Sequence, residues 1–120
     1  MLRIAALVAA TGMLASCADD VQKEYADRLV DRFDVPGCDG ARMVRAGRNP
    51  DESKPGSKSV YVVEEHCIEE MRSALALIGF DKTGDRAYRY SGDRGWYELV
   101  ELTVADDQQQ AGIIWETVEP

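Results

Sequence analysis

A chain of 120 residues has room for one domain and little else, and 45% hydrophobic with 30% charged residues describes a globular protein rather than a disordered acidic tail. Fourteen basic against 22 acidic side chains, a net charge of −8, exclude the clustered Lys and Arg of a nucleic-acid binder. Three cysteines, four prolines and ten glycines exclude collagen and a dense disulfide scaffold, and no apolar run reaches the roughly 18 residues that span a bilayer.

Arg3 is the only charge before Asp19, and Ile4 to Met13 form an apolar run broken only by Thr11 and Gly12. A charged start, a short apolar stretch and then small residues have the form of a secretory signal peptide. Leu14-Ala15-Ser16-Cys17 then matches the lipobox, in which a branched apolar residue and two small ones precede a cysteine. On these residues the chain resembles a bacterial lipoprotein precursor. The resemblance implies diacylglyceryl transfer to the Cys17 thiol, cleavage before Cys17 and acylation of the new amino terminus. Residues 1–16 are then a signal peptide, and 17–120 a single domain lipid-anchored at Cys17. Two or three acyl chains, at about 0.8 kcal/mol per buried methylene, hold such a domain stably where one chain would not. Ala18, rather than Asp, follows the cysteine, so by the same resemblance the anchor is expected in the outer membrane, facing the periplasm. Removal of Arg3 takes the charge of the remaining 104 residues to −9. Lipidation uses Cys17 and leaves Cys38 and Cys67, with one pairing open to them in a compartment where disulfides persist. The alternative is two free buried thiols.

In the remaining chain, Asp19 or Asp20 is placed to cap a helix, and Asp19 with Gln22 makes a capping-box-like start. Tyr25, Ala26, Leu29, Val30 and Phe33 keep helical spacing until Val35-Pro36-Gly37 stops it. Residues 41–46 read as a short strand, 47–58 as a long polar loop, and 59–64 as a strand rich in β-branched and aromatic residues. If these strands form a hairpin, its ends bring Cys38 and Cys67 together. Ile68, Met71, Ala74, Leu75 and Ile78 predict a second amphipathic helix ending at Gly79. Strands over 86–91, 96–104 and 112–118, separated by Gly92-Asp93-Arg94-Gly95 and a glutamine-containing loop, predict an antiparallel meander. The fold class expected is α+β: a helix, a β-hairpin, a helix and a three-stranded meander, with the helices on one face of the sheet.

Motifs for chemistry are sparse. His66, the sole histidine, stands beside Glu64, Glu65 and Cys67, and it reads as a solvated residue at a strand end rather than a metal ligand or half of a Cys–His pair. Asp81, Thr83 and Asp85 around Gly84 lack the full calcium-loop pattern and read as a polar turn. Asp51-Glu52 and Asp106-Asp107 are loop carboxylates. No nucleophile elbow, P-loop or dinucleotide fingerprint occurs, so no catalytic residue, metal or cofactor is expected, and the chain reads as a non-enzyme.

The aromatic-rich meander offers more. In its middle strand Trp96, Glu98, Val100, Leu102 and Val104 alternate with Tyr97, Leu99, Glu101 and Thr103. One set must face the core. Tyr97 and Leu99 on the other are either further core or candidate partner-binding residues, because aromatics among charges offer contact area at low entropic cost. The expected function is therefore a lipid-anchored envelope accessory or assembly factor that docks a protein partner. The alternative is an immunity or inhibitor lipoprotein that neutralises a cationic toxin or lytic enzyme, steered by the acidic charge.

Overall fold

A computed structural model of the chain describes residues 20–49, 55–106 and 110–120. Helix α1 occupies 20–33 of these, and a 3₁₀ turn, Pro36–Cys38, follows. Strands β1 (Arg42–Arg48) and β2 (Gly56–Val62) precede helix α2 (Glu65–Leu77). The chain ends with β3 (Asp81–Lys82), β4 (Ala87–Ser91), β5 (Tyr97–Thr103) and β6 (Gly112–Val118).

Both helices end where the sequence says, by the same device. Asp34, at φ 55°, one residue past α1, and Gly79, at φ 98°, two residues past α2, take left-handed geometry. The next residue then closes the end: Val35 N–H donates to the Val30 carbonyl and Phe80 N–H to the Leu75 carbonyl. Asp19 of the expected capping box lies outside the described residues. The Gln22 side chain grips strand β1, receiving the Met43 N–H at 2.9 Å and donating to the Met43 carbonyl at 3.1 Å.

The strands form one six-stranded antiparallel sheet in the order β1-β2-β6-β5-β4-β3. This corrects the expected architecture, in which a hairpin stands apart from a three-stranded meander and helices cover one face. The last strand of the meander, β6, pairs along its whole length with β2, from Gly56 opposite Val118 to Val62 opposite Gly112. The reason is the free edge of β2: a strand with one partner leaves a row of unpaired backbone groups, and β6 satisfies them. A further short strand, β3, extends the other side, and α2 carries the chain across the sheet to reach it. The helices are thus no lid over a meander; their buried side chains serve the continuous sheet. Ala26, Leu29 and Phe33 of α1 and Met71 and Leu75 of α2 share one cluster with Tyr61, Tyr88, Val100, Leu102 and Ile113.

Strand boundaries shift in the hairpin. The expected long loop over 47–58 shrinks because β1 continues to Arg48 and β2 begins at Gly56. Gly56, at φ 148°, lies so close to the Thr117 carbonyl that a side chain there would collide with it. In the turn before β5, Gly92 is required for the same reason: the Trp96 ring fills the space of a Cβ.

Candidate functional site

The register divides the side chains of the sheet into two faces. Val100 opposes Trp115 and Tyr88, Leu102 opposes Ile113, and Ile113 opposes Tyr61, so these residues share the face turned to the core. Glu98 lies on that same face, opposite Tyr90 and Thr117, and is 3% exposed. A buried carboxylate is costly unless paired and hydrogen-bonded. Here it is both. Arg32 of α1 grips it through two nitrogens, Nη2 at 2.6 Å and Nε at 3.1 Å from Oε1, while the Trp115 Nε1–H donates to Oε2 at 2.9 Å. The Arg32 guanidinium also lies 5.4 to 5.5 Å from the centroids of the Phe33, Phe80 and Tyr90 rings, where the negative faces of the rings favour a cation. Both carboxylate oxygens are occupied, so this unit ties α1 to the sheet.

Alternation in the middle strand places Glu98 among Val100 and Leu102 and so marks a charge on an apolar face. Its partner Arg32 is 66 residues away, and nothing in the local spacing points to it.

The opposite face carries Tyr97 and Leu99 of β5, Ile114 of β6 and Val60 and Val62 of β2, all half-buried and none part of the core cluster. The Arg89 guanidinium of β4 lies 4.3 Å from the centroid of the Tyr97 ring, and Lys58 pairs with Glu116 at 3.8 Å. Apolar side chains are therefore spread over three neighbouring strands of this face, with Glu101 and Glu116 among them. The two sequence-selected residues, Tyr97 and Leu99, share this face with Ile114 and Val60, which the sequence does not single out; Leu99 itself stands opposite Glu116, and Ile114 opposite Glu101. Their common face becomes visible only when β2 is paired with β6.

Cys38 and Cys67 form a disulfide between the 3₁₀ turn and the first turn of α2, both sulfurs buried and the Cα atoms 4.8 Å apart. It closes the base of the β1–β2 hairpin. Gly37 N–H donates to Glu70 beside it. Cys17 and the lipobox lie outside the described residues, as do Asp51, Glu52 and Asp107. His66 is exposed, with Nδ1 3.1 Å from a Glu64 oxygen; with Cys67 in the disulfide, the neighbouring sulfur is not a free thiol. Asp81, Thr83 and Asp85 are exposed, and Thr83 N–H donates to the Ala87 carbonyl to close the β3–β4 turn. Among the described residues no three His, Cys, Asp or Glu side chains converge as metal ligands, and no helix is long and apolar enough to cross a membrane.

The burial of Tyr61 pushes its phenol above the ordinary value near 10.0, against the opposing pull of Arg28. The neutral hydroxyl faces the Tyr25 carbonyl at 3.3 Å, donating to it and joining β2 to α1. In comparisons with protein-family models, curated proteins and solved structures, nothing matches this chain.

Proposed function

We propose that this chain is a lipid-anchored protein of the bacterial outer membrane, facing the periplasm, that docks a protein partner on the open face of its sheet. The observation that carries the reading is the position of Tyr97 and Leu99: half-buried, outside the core cluster, and on the same face of the sheet as Val60, Val62 and Ile114. Apolar and aromatic side chains interspersed with charges such as Glu116 and Arg89 have the mixed composition of a protein-binding patch. The lipobox Leu14-Ala15-Ser16-Cys17 supports the anchor, and the Cys38–Cys67 disulfide suits an oxidising compartment.

The test uses a photo-reactive amino acid at Leu99 in intact cells, with one at Leu77, 86% exposed on α2, as the control. A discrete protein adduct at position 99 that is absent at 77, and that disappears in the Cys17→Ser variant, is the expected result. Adducts of equal pattern at both positions, or none at 99, would remove the open face from the account. An adduct with a cationic toxin or lytic enzyme would turn the reading toward an immunity protein.

A further inference from the structure

The sheet has two edges, and they differ. On one side it ends in β3, two residues long; on the other it ends in β1, seven residues long. The register fixes which backbone groups of β1 face outward. Asn49 N–H donates to the Gly56 carbonyl. Counting back along an antiparallel pair, Gly47 and Arg45 exchange hydrogen bonds with β2, while Ala46 and Arg48 turn their groups away from it. Met43, across the irregularity in register at Val44, also faces outward. There the place of a next strand is already filled, because the Gln22 amide bonds both the N–H and the carbonyl of Met43. A side-chain amide held in this way stands where a peptide group of an adjoining strand would stand. Among the described residues, nothing equivalent meets Ala46 and Arg48.

The side chains around this free stretch are cationic. Arg42, Arg45 and Arg48 are all exposed and belong to none of the ion pairs among the described residues. Lys58 on the next strand is already paired with Glu116, and the described hairpin residues, 42–49 and 55–62, include no Asp or Glu. A chain of net charge −8 thus gathers positive charge on one arm. Arg45 shares a face with Val60 and Arg48 shares the other with Ser57, so a strand laid alongside would meet a guanidinium on each side. A second copy of the chain would set these arginines against their own equivalents, and like charges across a strand pair are unfavourable.

We propose that β1 takes up an extended acidic segment of a partner protein by strand addition at Ala46 and Arg48. Backbone hydrogen bonds supply the affinity, and the arginines select carboxylates on alternate residues of the added strand. This edge is a separate surface from Tyr97 and Leu99, and the proposal does not rest on theirs.

Fluorescence anisotropy with the whole chain tests it, using a labelled peptide of alternating glutamate and threonine and its lysine–threonine counterpart. The acidic peptide binds and the basic one does not. Ala46→Pro removes an outward N–H while sparing the β1–β2 ladder, and it weakens binding about tenfold, the worth of one hydrogen bond. Arg45→Glu combined with Arg48→Glu, both exposed, weakens it by at least as much at an unchanged melting temperature, and Tyr97→Ala leaves it unaltered. The proposal is overturned if no acidic peptide binds at about millimolar concentration, if both peptides bind alike, or if Ala46→Pro folds and binds normally. It is also overturned if phosphatidylglycerol vesicles bind to the arginines and the acidic peptide does not.

Discussion

Strand β5 carries two leucines on opposite faces of one sheet, and their surroundings differ sharply. Leu102 is 1% exposed, opposite Ile113 and inside the cluster built by both helices. Leu99, three residues earlier, is half-buried beside Tyr97, opposite Glu116 and Arg89, and belongs to no cluster. The period-two alternation of a strand thus sorts identical side chains to different tasks. One face carries the Glu98 carboxylate bound by Arg32 and turns Tyr61, Tyr88, Val100, Leu102 and Ile113 into the core cluster. The other keeps apolar side chains that take no part in that cluster. The core cluster and the disulfide lie on the first side, while Tyr97, Leu99 and the Ala46 and Arg48 stretch of β1 lie outside the cluster; we propose these two surfaces for partners.

The largest effect expected on the stabilising side is that of the disulfide. Replacing Cys38 and Cys67 by Ser frees a loop of 29 residues' separation, and the chain-entropy model assigns this about 3–4 kcal/mol. Urea unfolding of the double variant measures it. A loss below about 1 kcal/mol would move the stability of the hairpin base elsewhere. Next comes Arg32→Met, which leaves the Glu98 carboxylate with Trp115 alone. Stranding one partner of a buried pair costs about 3 kcal/mol, a fall in melting temperature of about 12 °C or more.

A smaller effect belongs to Tyr61. Its pKa is raised in the folded state, so its neutral form is the one the fold prefers. The stability it contributes is complete below the unfolded value of about 10 and is lost as pH rises through that value toward the folded one. Chemical denaturation of the wild type on either side of about pH 10, compared with Tyr61→Phe, isolates this dependence, which the variant lacks. The smallest effect is that of Arg45→Glu with Arg48→Glu: exposed substitutions away from the core cluster change stability by no more than about 0.5 kcal/mol. A larger loss would make the cationic edge part of the fold.

The sequence reveals much of the local structure and little of its assembly. The apolar spacing of Ala26, Leu29 and Phe33 marks the buried stripe of α1, and Gly79 marks the end of α2. Gly112–Val118 stands as a strand at the expected bounds, because β-branched and aromatic content is a local signal. What fails is the pairing of β2 with β6. Those strands are separated by a helix and three other strands, and no spacing rule connects residue 60 with residue 114. The cost of a free edge decides the matter, and that cost exists only in three dimensions. The cysteine pairing is legible because, with Cys17 assigned to the lipid, two thiols leave one choice. The contact of Gln22 with Met43 is hidden for a related reason: a capping pattern is a local signal, whereas Met43 lies 21 residues away. Arg32 and Glu98 are invisible as a pair, although Glu98 among apolar neighbours already announces that something must neutralise it.

Paired melts of Leu102→Ala and Leu99→Ala test the division between the two faces most directly, since the residue type, the strand and the truncation are the same. Leu102→Ala is predicted to cost about 3 kcal/mol, as a large-to-small change in a closed core does, and Leu99→Ala less than about 1 kcal/mol. Equal losses in the two variants would show that Leu99 is also core, and would contradict the account of an open face.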